Sequence, residues 1–134
     1  MIVDTSAVIA VLRGEDDAEL FAAALAAGSP PRMSAATLVE TAIVVDANRD
    51  PVLSGRLDDL LAAVDVVIEP VTPRQAEIAR HAYRAYGRGS GHAARLNFGD
   101  CFAYALSRDT GEPLLFKGRD FSETDVAIAP LATT

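Results

Sequence analysis

Short apolar runs alternate along this chain with longer stretches whose apolar residues recur at helical spacing. Continuous apolar runs of a few residues are typical of parallel strands that are covered on both faces. We therefore predict strands at residues 1–4, 32–33, 66–68, 114–116 and 126–128. The alternation of strands with helices predicts an α/β fold, in which a central parallel sheet carries helices on both faces.

The predicted helices begin beside residues that commonly cap or open a helix. The side chains that can cap them are Thr5 or Ser6, Ser34, Thr72 and Asn97. Pro51 suits the first turn of a helix, and Gly111 suits a helix end. The predicted helices cover approximately residues 5–12, 16–27, 35–47, 51–64, 73–86 and 98–109.

Length and composition predict one domain that spans residues 1–134. A chain of 134 residues buries enough apolar surface to fold without disulfides, and the single cysteine, Cys101, cannot form an internal one. No apolar stretch approaches the roughly 18 residues of a membrane span. The start of the chain lacks a basic leader, and Asp4 interrupts its apolar run, so we expect no secretory signal and a cytoplasmic location.

The charge of the chain is unevenly distributed. The net charge is −7, but the acids concentrate in the first half, and the segment from residue 74 to residue 95 carries only one acid, Glu77. That segment contains five arginines, which are Arg74, Arg80, Arg84, Arg88 and Arg95. A local basic face can attract a polyanion even on an acidic protein, although a solvated helix face is the simpler interpretation.

Four acids lie in or beside apolar segments. Asp4 and Asp120 follow predicted strands, whereas Glu40 and Asp100 lie in apolar parts of predicted helices. A carboxylate in apolar surroundings costs several kcal/mol unless a positive charge lies beside it. No Lys or Arg lies within helical reach of Asp4 or Glu40, so a bound cation is the natural partner. Ligands of parallel sheets bind beyond the carboxyl ends of the strands, where Asp4 and Asp120 are expected.

Carboxylate oxygens suit Mg²⁺ or Mn²⁺, and such an ion can activate water for attack on a phosphodiester. Taken singly, each acid also has an ordinary structural role. Asp4 could cap the following helix, Asp100 could favour a helix N-terminus, Glu40 could face solvent and Asp120 could lie in a turn. Four such acids together favour a shared site.

Other chemistries have no coherent pattern in this sequence. The glycine-rich segment 87–91 has no P-loop lysine and does not follow a strand. His81 and His92 lack metal-ligand spacing, and Cys101 lies beside Phe102 on an apolar helix.

Four segments of the chain carry a family resemblance. They are residues 1–7 (MIVDTSA), Glu40 in the helix opened by Ser34, residues 96–101 (LNFGDC) and residues 115–121 (LFKGRDF). In their order and spacing they resemble PIN-domain ribonucleases, most closely the VapC toxins of bacterial type II toxin–antitoxin systems. The resemblance implies a three-layer α/β/α sandwich with a central parallel sheet, usually built as a homodimer. It also implies Mg²⁺- or Mn²⁺-dependent endonucleolytic cleavage of RNA, and neutralisation by a small antitoxin protein that also binds the DNA of its operon.

The resemblance also implies roles for the acids. Asp4, Glu40 and Asp100 match the first three metal-site acids of the family, and Asp120 matches the fourth. Asp4 and Asp100 would be the principal metal ligands, Glu40 would orient a water or act as its base, and Asp120 would complete the site or hold a second ion. Many members carry Asp or Asn where this chain has Gly118, which leaves Asp125 as an alternative fourth acid.

The substrate-binding candidates are polar and basic residues near these acids. Ser6 and Asn97 could hold a water or a phosphate, although helix capping is the simpler role for both. Arg80, Arg84 and Arg88 could guide the RNA backbone, and docking of acidic antitoxin side chains explains them equally well.

Two other functions remain open at the level of sequence. A Mg²⁺-dependent phosphatase-like domain also gathers acids at strand ends, but a haloacid-type enzyme would need Asp at position 6, where this chain has Ser6. A receiver domain would need a phospho-accepting Asp after the central strand, where this chain has Glu69 and Pro70. The other alternative is a catalytically silent PIN-fold domain that regulates or binds a partner, although the presence of all four acids argues against it.

Overall fold

Four parallel strands form the centre of the fold in the computed structural model, which describes residues 1–131. The strands lie in the order β3-β2-β1-β4. Their bounds are β1 Ile2–Val3, β2 Arg32–Ser34, β3 Val67–Glu69 and β4 Leu114–Leu115. The helices are α1 Thr5–Leu12, α2 Ala18–Ala26, α3 Ala35–Asp46, α4 Pro51–Ala63, α5 Pro73–Tyr86 and α6 Phe98–Thr110, and one 3₁₀ turn covers Phe121–Glu123.

Successive residues of the neighbouring strands β1 and β4 enter different cores. Ile2 and Leu114 pack with side chains from α5 and α6, whereas Val3 and Leu115 pack with side chains from α1, α2 and α4. All four side chains are at most 1% exposed. Because adjacent strand residues point to opposite faces of a sheet, these short runs must be apolar throughout. The predicted α/β/α sandwich with a parallel sheet is therefore confirmed.

The helix caps largely follow the sequence prediction. The side chains of Ser34, Thr72 and Asn97 accept hydrogen bonds from backbone N–H groups of α3, α5 and α6. The predicted cap of α1 by Thr5 or Ser6 is wrong. Asp4 caps this helix instead, because its backbone is still extended and its carboxylate accepts the Ser6 N–H at 3.0 Å.

Two strand predictions need correction. Residues 66–68 were expected to form a buried strand, but Val67 is 43% exposed and Ile68 is 38% exposed. β3 lies at one edge of the sheet and has no strand on its outer side, whereas the other edge strand, β4, is bridged by Ile128 and stays buried. Residues 126–128 do not form a strand; Ile128 makes only an isolated parallel bridge to Leu114.

The strand order places the carboxyl ends of β1 and β4 side by side. The chain moves from β1 outward through β2 to β3, and then returns to add β4 on the other side of β1. This reversal of direction is the point at which open parallel sheets bind ligands. Asp4 follows β1 directly, and its backbone N–H donates to the Leu115 carbonyl of β4 at 3.0 Å. None of the helices in residues 1–131 combines the length and apolar character needed to cross a bilayer.

Candidate active site

Asp4 is a buried carboxylate that uses only one of its two oxygens. It is 3% exposed, and its Oδ2 accepts hydrogen bonds from the Ser6 backbone N–H at 3.0 Å and the Ser6 hydroxyl at 2.6 Å. Its other oxygen, Oδ1, is buried without a hydrogen-bond partner. Burial raises the pKa of Asp4, the hydrogen bonds from Ser6 oppose this rise, and repulsion by Glu40 adds to it.

Asp100 also uses one of its two carboxylate oxygens to cap a helix. It lies in the first turn of α6, where its Oδ2 accepts the Asn97 N–H at 2.9 Å while the Asn97 side chain accepts the Asp100 N–H at 2.8 Å. This capping box accounts for one carboxylate oxygen. Burial raises the pKa of Asp100 to about 7, a hydrogen bond from the Asn97 backbone opposes the rise, and repulsion by Asp4, Asp120 and Glu40 adds to it.

Glu40 reaches this region from the middle of α3. Its Oε1 accepts a hydrogen bond from the Thr5 hydroxyl at 2.6 Å. Thr5 Oγ1 is also 2.8 Å from Thr41 Oγ1. The other side of the Glu40 carboxylate lies against Gly99 in the first turn of α6. Glu40 therefore connects the beginnings of α1 and α6.

Asp4, Glu40 and Asp100 line one open cavity of about 330 Å³. Three of the four acids singled out by the sequence thus share a site, although they are separated by up to 96 positions in the chain. Asp120 does not line this cavity; it is exposed, yet close enough to repel the Asp100 carboxylate. Asp125 lies elsewhere, where it accepts the Tyr104 hydroxyl at 2.5 Å and pairs with Arg108.

The lysine that lines this cavity is already paired with other groups. Lys117 lines the cavity, but its Nζ lies 2.7 Å from Glu15 Oε1 and 2.9 Å from Asp17 Oδ1. Its backbone N–H donates to Ser6 Oγ at 2.9 Å, which connects the segment after β4 to the Asp4 carboxylate. Within residues 1–131, no Lys or Arg forms an ion pair with any of the three cavity acids, which are Asp4, Glu40 and Asp100.

The donor set of the cavity fits a hard divalent cation. A buried, unpartnered carboxylate oxygen on Asp4 and a second raised pKa on Asp100 are the expected signs of acids that lack a positive partner. In the part of the chain that the structure describes, however, no three Asp, Glu, His or Cys side chains converge closely enough to form a finished metal cluster. Binding of an ion here would therefore require these side chains to adjust.

A second groove adjoins the acid cavity. It has a volume of about 710 Å³ and lies between α5 and α6. Arg80, Arg84 and Arg88 line it on the α5 side, and Phe98 and Phe102 line it on the α6 side. None of these three arginines forms an ion pair within residues 1–131. Asn97 lines both the groove and the acid cavity, so the two lie next to each other at this residue.

The polar candidates Ser6 and Asn97 have structural contacts. Asn97 caps α6, as expected from the sequence. Ser6 does not cap a helix; its hydroxyl joins Asp4 to the backbone of Lys117. Thr5, Gly99 and Lys117 were not predicted as site residues, although they lie within the family-like segments, because only the packed fold shows what each of them contacts.

The chain is similar to known proteins over almost its whole length. A family model described as PIN domain matches residues 1–127. Ribonuclease VapC28 of Mycobacterium tuberculosis is 59% identical over 126 residues, which cover 94% of this chain and 95% of that protein. Ribonuclease VapC30 of the same organism is 49% identical over 133 residues, which cover 98% of this chain and 99% of that protein.

Solved structures share the fold at lower identity. The toxin VapC20 of Mycobacterium tuberculosis, described as cleaving the sarcin–ricin loop, superposes with a TM-score of 0.71 at 20% identity, covering 96% of this chain and 98% of its own. A toxin–antitoxin complex from Klebsiella pneumoniae gives a TM-score of 0.70 at 17% identity, covering 95% of this chain and 94% of its own. FitAcB from Neisseria gonorrhoeae gives 0.67 at 19% identity, with 96% of each chain covered.

Proposed function

Because this chain belongs to the PIN domain family, with VapC ribonucleases among its relatives, we propose that it is a metal-dependent endoribonuclease and the toxin of a toxin–antitoxin pair. The observation that carries the proposal is the shared cavity of Asp4, Glu40 and Asp100. One carboxylate oxygen in it, on Asp4, is buried without a partner. Such an arrangement is costly for a protein that binds no cation there.

In this proposal each cavity acid has a distinct task. Asp4 and Asp100 hold the cation through the oxygens that their helix caps leave free. Glu40 orients the attacking water or accepts its proton, and the exposed Asp120 completes the site from its edge or holds a second ion. Mg²⁺ or Mn²⁺, when bound, supplies a lowered pKa for water and stabilises charge on the phosphoryl oxygens.

The cap hydrogen bonds explain how two buried acids are aimed. Ser6 fixes one oxygen of Asp4, and the Asn97 N–H fixes one oxygen of Asp100. Each remaining oxygen then has a defined direction without any need for an opposing lysine or arginine. Holding one oxygen of each acid in place limits the adjustment that these side chains need when an ion binds.

The proposal is tested by incubating the purified, antitoxin-free protein with RNA and Mn²⁺. We expect endonucleolytic products that disappear with excess EDTA and return when Mn²⁺ is restored. Cutting that continues in EDTA would contradict the metal-dependent mechanism. A folded protein that binds Mn²⁺ but cuts no RNA would instead support the catalytically silent alternative.

For the substrate, we propose that the groove between α5 and α6 receives the RNA strand. Its three exposed arginines can contact phosphates, and Phe98, which is 77% exposed, offers a face for base stacking. The groove and the acid cavity share Asn97 in their linings, so a strand bound in the groove lies beside the acids.

We expect Arg84→Ala to raise the KM for RNA severalfold and to leave kcat nearly unchanged, because a phosphate contact binds ground state and transition state alike. The slope of log affinity for RNA against log salt concentration should also become shallower, by about the amount that one phosphate contact contributes. Arg56→Ala, which removes the same charge from an exposed position on α4, is the matched control. If Arg84→Ala cuts RNA normally but escapes inhibition by the antitoxin, the arginines serve the protein partner instead.

For partners, we propose a small antitoxin and a second copy of this chain. The toxin–antitoxin complex among the structural neighbours supports the antitoxin. Exposed apolar side chains on α3, with Val39 at 57% and Ile43 at 63%, provide a surface for a protein partner. We also propose a cytoplasmic location, where RNA and antitoxin are both present.

A further inference from the structure

We propose that Gly99 is a positioning residue for Glu40, because the missing side chain at residue 99 leaves the space that the Glu40 carboxylate occupies. This inference rests on the proposed function, since it concerns one acid of the proposed active site. Gly99 has no side chain that could bind a metal or a substrate. Its role is to leave room for the Glu40 carboxylate.

The close approach at Gly99 is severe. A Cβ atom built on Gly99 would lie 1.6 Å from Glu40 Oε2 and 2.4 Å from Glu40 Cδ, whereas real Cβ atoms essentially never come within 3.0 Å of another heavy atom in this way. The backbone of Gly99 is not in the left-handed region, so an alanine can adopt it. Glycine is therefore required at residue 99 because of the position of the Glu40 carboxylate, and not because of its own backbone conformation.

A hydroxyl fixes the opposite side of the same carboxylate. Thr5 donates to Glu40 Oε1 at 2.6 Å, and Thr5 itself contacts Thr41, whose hydroxyl lies 2.8 Å from the Thr37 carbonyl. One Glu40 oxygen is thus held by α1, and the other packs against the first turn of α6. The partial positive charge of a helix N-terminus also favours a carboxylate at this place.

Loss of this space should displace Glu40 without unfolding the protein. The atoms that the new methyl group would meet belong to the end of a flexible side chain, which can rotate away. Gly87 provides a contrast, because a Cβ there would meet the backbone carbonyl of Tyr83 at 2.3 Å. At residue 99 the substitution should therefore disturb the position of Glu40 and not the backbone. Alanine also has a higher helix propensity than glycine, which favours the folded state of α6.

The first test compares Gly99→Ala with Gly55→Ala. Gly55 lies within α4, and a Cβ there meets no atom within 4 Å, so it is a matched control for the same substitution. We expect Gly99→Ala to melt within a few degrees of the wild type in EDTA and to cut RNA at least about tenfold more slowly. Gly55→Ala should cut RNA at the wild-type rate. Normal cleavage by Gly99→Ala, or a loss that follows its unfolding, would overturn the proposal.

A double-mutant cycle tests whether Gly99 acts through Glu40. In a Glu40→Ala background no carboxylate remains to be displaced, so adding Gly99→Ala should cause no further loss of cleavage. Two losses that multiply would show that Gly99 acts by another route and would overturn the proposal.

A crystal structure of Gly99→Ala separates this inference from the proposed function. We expect Glu40 Oε1 to move out of hydrogen-bonding distance of Thr5 Oγ1, whether or not the protein cuts RNA. A Glu40 carboxylate that stays in place contradicts the positioning role. A displaced carboxylate in a protein whose wild type cuts no RNA would refute the nuclease proposal alone.

Discussion

We expect Asp4→Asn to lower the rate of RNA cleavage about a thousandfold, because it removes a principal ligand of the proposed cation. The substitution should leave the fold intact. An asparagine amide oxygen can still accept the Ser6 N–H and hydroxyl, so the cap of α1 is preserved. What changes is the buried, unpartnered oxygen, where an amide group cannot replace a charged ligand.

The measurement is single-turnover cleavage of RNA in Mn²⁺, with thermal unfolding of the same samples. Asp58→Asn is a suitable control, since it neutralises an exposed acid on α4. We expect the control to cut RNA at the wild-type rate. Retention of cleavage within tenfold by a folded Asp4→Asn protein would exclude Asp4 as a principal ligand.

We expect the free energy of unfolding of the metal-free protein to fall as the pH rises from about 4 to about 7, in the part that Asp100 contributes. Its pKa rises from 3.8 to about 7 in the folded state, mainly through burial. Between these values the folded protein keeps a proton that the unfolded chain has released, so each increase in pH favours unfolding. The raised pKa of Asp4 acts in the same direction.

Urea unfolding in EDTA at pH 5 and pH 7.5 measures this contribution. Asp100→Asn removes the titrating group, and its amide oxygen can still accept the Asn97 N–H. The loss of stability between the two pH values should therefore be smaller in the variant than in the wild type by at least about 1 kcal/mol. Identical losses in both proteins would mean that burial does not raise the pKa of Asp100. A variant that is much less stable than the wild type at pH 7.5 would mean that the Asp100 carboxylate stabilises the fold.

The sequence predicts the fold better than it predicts the environment of individual elements. Runs such as Leu114–Leu115 are apolar on both faces, and that pattern is enough to indicate a covered parallel strand. β3 and β4 both lie at an edge of the sheet, yet only β3 is exposed. The exposure of Val67 and Ile68 depends on how the rest of the chain packs around each edge, so it could not be foreseen. The cap of α1 was ambiguous because Asp4, Thr5 and Ser6 are all residues that cap helices.

The acid site was predictable in outline for a similar reason. Asp4 was expected at a strand end and Asp100 at a helix start, and short-range patterns indicate both positions. For Asp4 and Asp100, the roles of helix cap and metal ligand do not exclude each other. Each carboxylate has two oxygens, and only one of them is used in the cap. A sequence pattern identifies the residue, but it cannot assign different roles to the two oxygens of one carboxylate.

The supporting contacts could not be predicted from the sequence. Gly99 is explained by Glu40, which lies 59 positions earlier, and the Ser6 hydroxyl is held by the Lys117 N–H, 111 positions later. These contacts depend on how helices pack around the sheet. Lys117 illustrates the point, since its nearness to the acids would suggest neutralisation, whereas its Nζ pairs with Glu15 and Asp17.

Titration of Mn²⁺ into the metal-free protein by calorimetry, with Asp4→Asn and Asp100→Asn measured beside the wild type, tests most directly whether these acids gather around a divalent cation. We predict saturable binding by the wild type and a loss of affinity of at least about tenfold in each variant. A wild type that binds no Mn²⁺, or folded variants that bind it equally well, would contradict the account.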